Sequence, residues 1–203
     1  YALNSDNGST NWSSNLGGAE PTHPVLYRGR LYLSTTDALL CLNPSDGSVD
    51  WRYETSDSSP MTPSVDDSGV YFADAGYVYR LRRWDGSELW STYIGGSLNS
   101  VTLDNEHVYV ASGSLGSYSK RSGQEMWSTG ARGTAVGRPA LHDGVLYLAT
   151  DTGNLQAVDT DGNGVWTTEL GREALGGPCV VGDTVYAVFS EGFNADSTVL
   201  NAV

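Results

Sequence analysis

LHDGVLYLATDTGNLQAVDTDGNGVW, residues 141–166, holds two short apolar runs, a Gly/Asp turn between them and a second turn that ends in Trp. Tyr147 stands 19 residues before Trp166, and the same step separates Tyr32 from Trp51 and Tyr71 from Trp90; Tyr109 precedes Trp127 by 18. A fixed period of this size marks a tandem repeat in which each unit is one supersecondary element. Function therefore has to be read through the repeat and not from any single motif.

Outward from that stretch, each part of the unit recurs. Gly8, Gly47, Gly86, Gly123 and Gly162 stand four residues before Trp12, Trp51, Trp90, Trp127 and Trp166. Glycine permits the positive φ of a tight turn, and the large ring then packs where the chain re-enters a sheet. The five Trp residues accordingly read as structural. Pro24, Pro63, Pro139 and Pro178 stand eight residues before the marker Tyr, with Val101 in the third unit. Proline lacks a backbone donor and suits the first residue of a strand.

Short apolar runs follow these prolines (VLY, SVD, TLD, ALH, VVG), then a tight turn, then LYL, VYF, VYV, LYL and VYA. Two β-rich runs joined by a few Gly, Asp or Asn residues form a hairpin. A further turn, SEGFNADS in the last unit, leads to LLCL, YVYRL, GSYS, LQAV and VLNAV, and the Gly-to-Trp turn opens a fourth strand. Each unit thus predicts four short antiparallel strands and no helix, the blade of an all-β propeller. The run GSLGSYSK, residues 113–120, lacks the apolar third strand of the other units, which predicts the weakest blade there.

At 203 residues the chain is long enough for one sizeable domain, and the expectation is a single propeller domain over residues 1–203. The formal charge of −13 argues against nucleic acid, whose phosphates need Lys and Arg to neutralise them. Lys120 is the only lysine against ten arginines; so acidic and Lys-poor a surface suits either work in strong salt, where self-repulsion is screened, or an ordinary soluble protein. Cys41 and Cys179 each stand among apolar residues and read as small buried hydrophobes, with a disulfide between them left open. No apolar run has the length of a transmembrane segment. The chain starts at Tyr1, without Met or a signal peptide, and reads as a mature product or a fragment.

The segments YALNSDNGSTNW, LCLNPSDGSVDW and LQAVDTDGNGVW resemble the tryptophan-docking motif, Ala-x-Asp-x-x-x-Gly-x-x-x-Trp, of the PQQ-like (quinoprotein alcohol dehydrogenase-like) β-propeller repeat family. It is matched with substitutions at Ala2, Asn4, Gly8 and Trp12, and at Asn43, Gly47 and Trp51. The resemblance covers essentially the whole chain and implies four-stranded blades, in a closed five-blade ring or an arc of a seven- or eight-bladed one. Asn201, Ala202 and Val203 align with Tyr1, Ala2 and Leu3, a tandem phase that favours the arc. Enzymes of this family carry adjacent cysteines beneath the quinone and Glu, Asn and Asp ligands for calcium; here no two cysteines are adjacent.

The resemblance is therefore nearest to the non-enzymatic, BamB-like members. It implies no cofactor, a protein or extracellular polymer partner, and an extracellular or cell-surface place, with a lipoprotein or membrane anchor in the parent chain. The alternatives are a fragment of a PQQ- and calcium-dependent dehydrogenase, and a structural subunit that self-associates head to tail through open blade edges.

Chemical motifs are sparse. There is no GxSxG elbow, GxGxxG, HExxH or P-loop, and His23, His107 and His142 fall in different loops. Asp159, Asp161 and Asn163 satisfy the first half of a calcium loop, but Leu170 stands where the bidentate Glu belongs, and the stretch is also the repeat's turn. Propellers bind ligands where the inter-blade connections gather, which here collects Glu20, His23, Arg132, Arg138, Arg172 and Glu173. His23 and Arg138 directly precede prolines and read either as axis-facing holders of an anionic group or as solvated loop charges. Arg80, Arg82 and Arg83 with Trp84 read as a solvated edge or a partner contact. Asn7 and Asn11 head glycosylation sequons.

Overall fold

The computed structural model describes residues 1–16, 21–56, 61–99, 101–190 and 198–202, the last as backbone alone. They fall into two compact units, Tyr1–Ser91 and Thr92–Val203, and every regular element among them is a β-strand. The first unit opens with β1 (Ala2–Leu3) paired to β2 (Thr10–Trp12). One four-stranded sheet follows in chain order, β3 (Val25–Tyr27), β4 (Arg30–Ser34), β5 (Ala38–Leu42) and β6 (Val49–Glu54). The next is β7 (Ser64–Asp66), β8 (Gly69–Asp74), β9 (Tyr77–Leu81) and β10 (Glu88–Tyr93).

The second unit repeats the plan. Its sheets are β11 (Thr102–Leu103), β12 (His107–Ala111), β13 (Ser114–Ser119) and β14 (Glu125–Gly130), then β15 (Ala140–His142), β16 (Val145–Ala149), β17 (Asn154–Asp159) and β18 (Gly164–Glu169). Last come β19 (Cys179–Val181), β20 (Thr184–Ser190) and β21 (Thr198–Ala202), a three-stranded sheet among the described residues. The registers recorded are antiparallel, as expected of strands joined by short turns. Residues 191–197 of the SEGFNADS turn and Val203 lie outside the described residues.

Burial explains the order of the strands. β5 and β8 are buried at every position, because inner strands have a partner on both edges and the two four-stranded sheets of the first unit share a core that includes Tyr32, Leu39, Cys41, Val70 and Phe72. The fourth strands alternate, as in the exposed and half-buried residues of β10, β14 and β18, which marks them as outer edges with one wet face.

Gly and Trp together join each blade to the next within a unit. The Trp12 indole N–H donates to the Pro44 carbonyl at 2.8 Å, and Trp51 donates to that of Arg83 at 2.9 Å. In the second unit Trp127 donates to that of Thr160 at 2.9 Å. In each pair the ring lies flat on the next turn's glycine. A Cβ on Gly86 would fall 2.7 Å from the Trp51 ring, and one on Gly162 would fall 2.8 Å from that of Trp127. The marker Tyr packs against the same ring, 6.0 Å between centroids for Tyr32 and Trp51 and 5.9 Å for Tyr147 and Trp166. Small residues stand opposite Trp12, Trp51, Trp127 and Trp166 in their sheets: Ala2, Cys41, Ser117 and Ala157. That explains Cys41, which is fully buried against Trp51 as expected.

Two expectations change. Both cysteines are free thiols, and Cys179 is exposed, not buried; its strand is the first of its sheet and borders an open cavity. The GSYS strand, read as deficient, is six residues long, with Leu115 and Tyr118 buried. Its missing bulk comes from Tyr118, whose ring folds over Gly116, where a Cβ would meet it at 2.8 Å.

The turn ahead of that strand's partner holds a carboxylate network. Asp104 Oδ2 accepts the Tyr109 hydroxyl at 2.7 Å, and Oδ1 accepts the backbone N–H groups of Glu106 and His107. The lysine of the chain, Lys120, is buried and donates to the Asp104 carbonyl at 2.6 Å. Burial pushes the Asp104 carboxyl up, but the bonds from Tyr109, His107 and Glu106 outweigh it and leave its pKa below the ordinary 3.8. A carboxyl depressed on folding stabilises the protein above its unfolded pKa of about 4, and that contribution is lost as pH falls through the folded value. Urea midpoints measured from pH 6 downward should therefore fall more steeply below about pH 4 in the wild type than in Asp104→Asn; parallel curves would remove this account.

Candidate functional site

Among the described residues, chemistry-bearing side chains line a cavity in each unit. In the second unit a cavity of about 560 Å³ opens against the first strands of three successive sheets, lined by Thr102, Arg138, Pro139, Gly177, Pro178 and Cys179 among others. Arg138 Nε approaches Thr102 Oγ1 at 3.4 Å, and that hydroxyl donates to the Pro139 carbonyl at 2.6 Å. Arg138 reaches solvent, yet desolvation lowers its pKa from the ordinary 12.5; the guanidinium stays charged regardless. Of the connection residues picked from sequence, Arg138 thus borders a real cavity. His23 is exposed ahead of β3 in the first unit, and Glu20 lies outside the described residues.

The first unit carries a basic and aromatic cluster. Arg28, Arg30, Tyr32, Arg83 and Trp84 line a cleft of about 150 Å³. Arg28 forks onto Asp67 through Nε and Nη2, both at 2.6 Å, and Arg30 pairs with Asp50. Arg83 approaches Asp67 at 3.7 Å, too far for a hydrogen bond, and its guanidinium carbon sits 5.3 Å from the Tyr27 ring centroid. Arg82 lies 5.5 Å from the centroid of Trp84, an indole that is 70% exposed. The Arg83 backbone is pinned from behind, its carbonyl receiving Trp51 at 2.9 Å and the Tyr32 hydroxyl at 3.4 Å. Sequence reasoning singled out Arg82, Arg83 and Trp84 but missed Arg28 and Arg30, which come from the β3–β4 hairpin of the preceding blade.

The calcium-like residues are placed as a turn. Asp159 Oδ1 accepts the backbone N–H groups of Asp161 (3.0 Å) and Asn163 (2.8 Å), and Oδ2 accepts the Asn163 side-chain amide at 3.0 Å. The Asn163 bonds, side chain first, hold the Asp159 carboxyl below its ordinary 3.8. Among the described residues no three His, Cys, Asp or Glu side chains converge as a metal site. With Cys41 buried and Cys179 exposed on separate strands, the residues present do not fit the quinone and calcium set of the enzymes. His107 contacts Asp104 and His142 contacts Asp143, at 3.2 and 3.5 Å. Asn7 and Asn11 are both exposed.

One family model, described as outer membrane protein assembly factor BamB, matches residues 1–96 and again 74–201. The chain belongs to the BamB family of PQQ-like β-propellers. A curated BamB from Yersinia pestis is 33% identical over 105 aligned residues, 44% of this chain and 27% of that protein. The crystal structure of BamB from Moraxella catarrhalis superposes with a TM-score of 0.68 at 22% identity, covering 86% of this chain and 58% of that one. A quinohemoprotein alcohol dehydrogenase from Comamonas testosteroni superposes with a TM-score of 0.65 at 13% identity, over 81% of this chain and 38% of that one. At such identities the structural likeness shows the propeller fold alone. The chain spans little more than a quarter of the Yersinia BamB and under two thirds of the Moraxella one. Among the described residues no helix is long and apolar enough to cross a membrane.

Proposed function

We propose that this BamB-family chain is a non-catalytic docking scaffold at the cell envelope, anchored at the membrane or displayed at the cell surface, that binds protein partners during outer-membrane protein assembly. What carries the reading is the family match over almost the whole chain. Two features support it: the cysteines that the enzymes place beneath a quinone are not adjacent here, and an exposed Trp stands among arginines. Aromatic and Arg side chains supply most of the energy at protein interfaces.

The test is photo-crosslinking in the native host, carrying the crosslinker on the exposed turns, run beside reconstitution with PQQ and calcium. The expected result is a discrete protein adduct and no dye-linked alcohol oxidation. Turnover on reconstitution would replace this reading with the dehydrogenase. Adducts to a polymer alone, or to a second copy alone, would replace the partner class.

A further inference from the structure

Two turns of the first unit break the repeat's own rules, and both breaks meet at one cleft. The Gly-to-Trp turn usually begins with a residue whose side-chain oxygen caps the backbone two positions on. Asn4 accepts from Asp6 at 2.8 Å, Asn43 from Ser45 at 3.0 Å, and Asp159 from Asp161 at 3.0 Å. Such Asx caps are what favour Asn and Asp there. In the 82–86 turn that place is Arg82, followed by Arg83 and Trp84, and the cap is forgone.

The second break is in the β3–β4 hairpin. Its two-residue turn puts Arg28 at φ +44°, whereas the equivalent β15–β16 turn has Asp143 at φ +46°, each followed by a glycine. Asn-Gly and Asp-Gly are the favoured pairs for this turn. A long side chain without a short polar tip is disfavoured in the left-handed region, where Asn and Asp can bond locally. Arg28 is held by its fork onto Asp67 and Arg82 by Asp85 and Ser87, so both breaks give up a local preference to set guanidinium groups around the cleft and not to fill the core, a pattern that points to function.

The cleft's size and charge narrow the ligand. Its volume of about 150 Å³ is below the roughly 300–1,000 Å³ of cofactor pockets, and suits one side chain. Of the charges in and against it, Arg28, Arg30 and Arg83 oppose Asp67 and Asp50, which leaves 3 − 2 = +1. That matches one carboxylate better than a doubly charged phosphate. The chain's net charge of −13 does not decide the matter, because it is screened beyond about 8 Å at physiological salt.

We propose that the Arg28–Arg30–Arg83–Trp84 cleft is the anchor for an acidic segment of a partner protein: an Asp or Glu side chain enters between the guanidinium groups while a neighbouring side chain packs on Trp84. This deepens, and rests on, the docking reading above. Arg83 is the guanidinium whose own carboxylate stands at 3.7 Å, so it has donors to turn toward an incoming group. Its backbone, held by Trp51 and Tyr32, is already in place, which lowers the ordering cost of binding.

The experiment follows the indole N–H resonance of Trp84 in the full-length chain, assigned by its disappearance in Trp84→Phe. The peptide acetyl-Glu-Phe-Glu-amide is titrated against acetyl-Gln-Phe-Gln-amide, inorganic phosphate and phosphatidylglycerol vesicles. The Glu peptide should move the resonance saturably, the Gln peptide should not, and Arg83→Gln should weaken Kd by about tenfold or more, the worth of a charge-assisted contact. An unshifted Trp51 indole resonance certifies the Arg83→Gln fold, since that bond goes to a backbone carbonyl; Arg30→Gln serves as the second variant. No movement, equal movement with the Gln peptide, or stronger movement with phosphate or vesicles would overturn the proposal. A partner crosslink untouched by Trp84→Phe and Arg83→Gln would sink the cleft and spare the scaffold; peptide binding without any partner crosslink would do the reverse.

Discussion

Trp51→Ala is expected to lower the unfolding free energy by about 3–5 kcal/mol, the usual cost of emptying a large aromatic site in a core. Three separate contacts go at once. The indole is 8% exposed, packs against Tyr32 at 6.0 Å between centroids and covers Gly86, and its N–H satisfies the Arg83 carbonyl at 2.9 Å. Truncation leaves a cavity between two blades and takes from the Arg83 carbonyl the shorter of its two bonds, leaving it the Tyr32 hydroxyl at 3.4 Å. Trp51→Phe separates these: most of the ring volume remains, the Tyr32 hydroxyl still reaches the Arg83 carbonyl, and the loss should be the roughly 0.5–1.5 kcal/mol of one hydrogen bond together with a small packing defect. Trp84→Ala is the control, because that indole is 70% exposed and should change stability by no more than about 0.5 kcal/mol. Urea unfolding with a constant m-value reads all three. Against a total of about 5–15 kcal/mol for a domain, the Trp51 loss is enough to reorder the melting of the first unit. Equal effects at positions 51 and 84 would contradict the docking role.

The same contacts explain why the fold was legible in the sequence. A turn that needs positive φ selects Gly, a ring that must lie on that Gly selects Trp, and a second ring that must fill beside it selects Tyr. Three positions per unit therefore cannot drift without loss, and their spacing survives where everything between them changes. Strand boundaries followed from the hairpins these residues bracket. What was misread was misread for a physical reason. Cys179 sits in a short apolar run that looks buried, but a first strand borders the cavity, and apolar residues there meet open space. GSYS looked deficient because bulk was sought at each position, whereas Tyr118 supplies it from two residues away by folding over Gly116.

The candidate site was half legible. Arg82, Arg83 and Trp84 are adjacent and visible as a break in a polar turn. Arg28 and Arg30 come from another blade, and linear proximity gave no hint of them. A signal did exist: Arg28 stands before a glycine in a hairpin turn whose counterpart uses Asp143. Comparing turns unit by unit, and not only the apolar frame, would have found it.

Gly162→Ala should be the second large loss, and its logic is tested by a pair of substitutions. Gly162 has φ +90° and lies under the Trp127 ring, with a Cβ 2.8 Å from the nearest ring carbon. Alanine there pays roughly 1–2 kcal/mol for the left-handed backbone, and forcing a methyl under a packed ring typically costs another 1–3 kcal/mol. Only the second part depends on Trp127. Trp127→Ala removes the ring, and in that background Gly162→Ala should cost only the backbone part, so the double variant is more stable than the sum of the singles by about 1–3 kcal/mol. Gly144→Ala is the matched control, with φ +76° and nothing within 4 Å of its Cβ position; it should show the backbone cost alone, with no coupling to Trp127. Strict additivity at Gly162 would mean that the ring does not rest on this turn, and the blade-to-blade joint would have to be sought elsewhere.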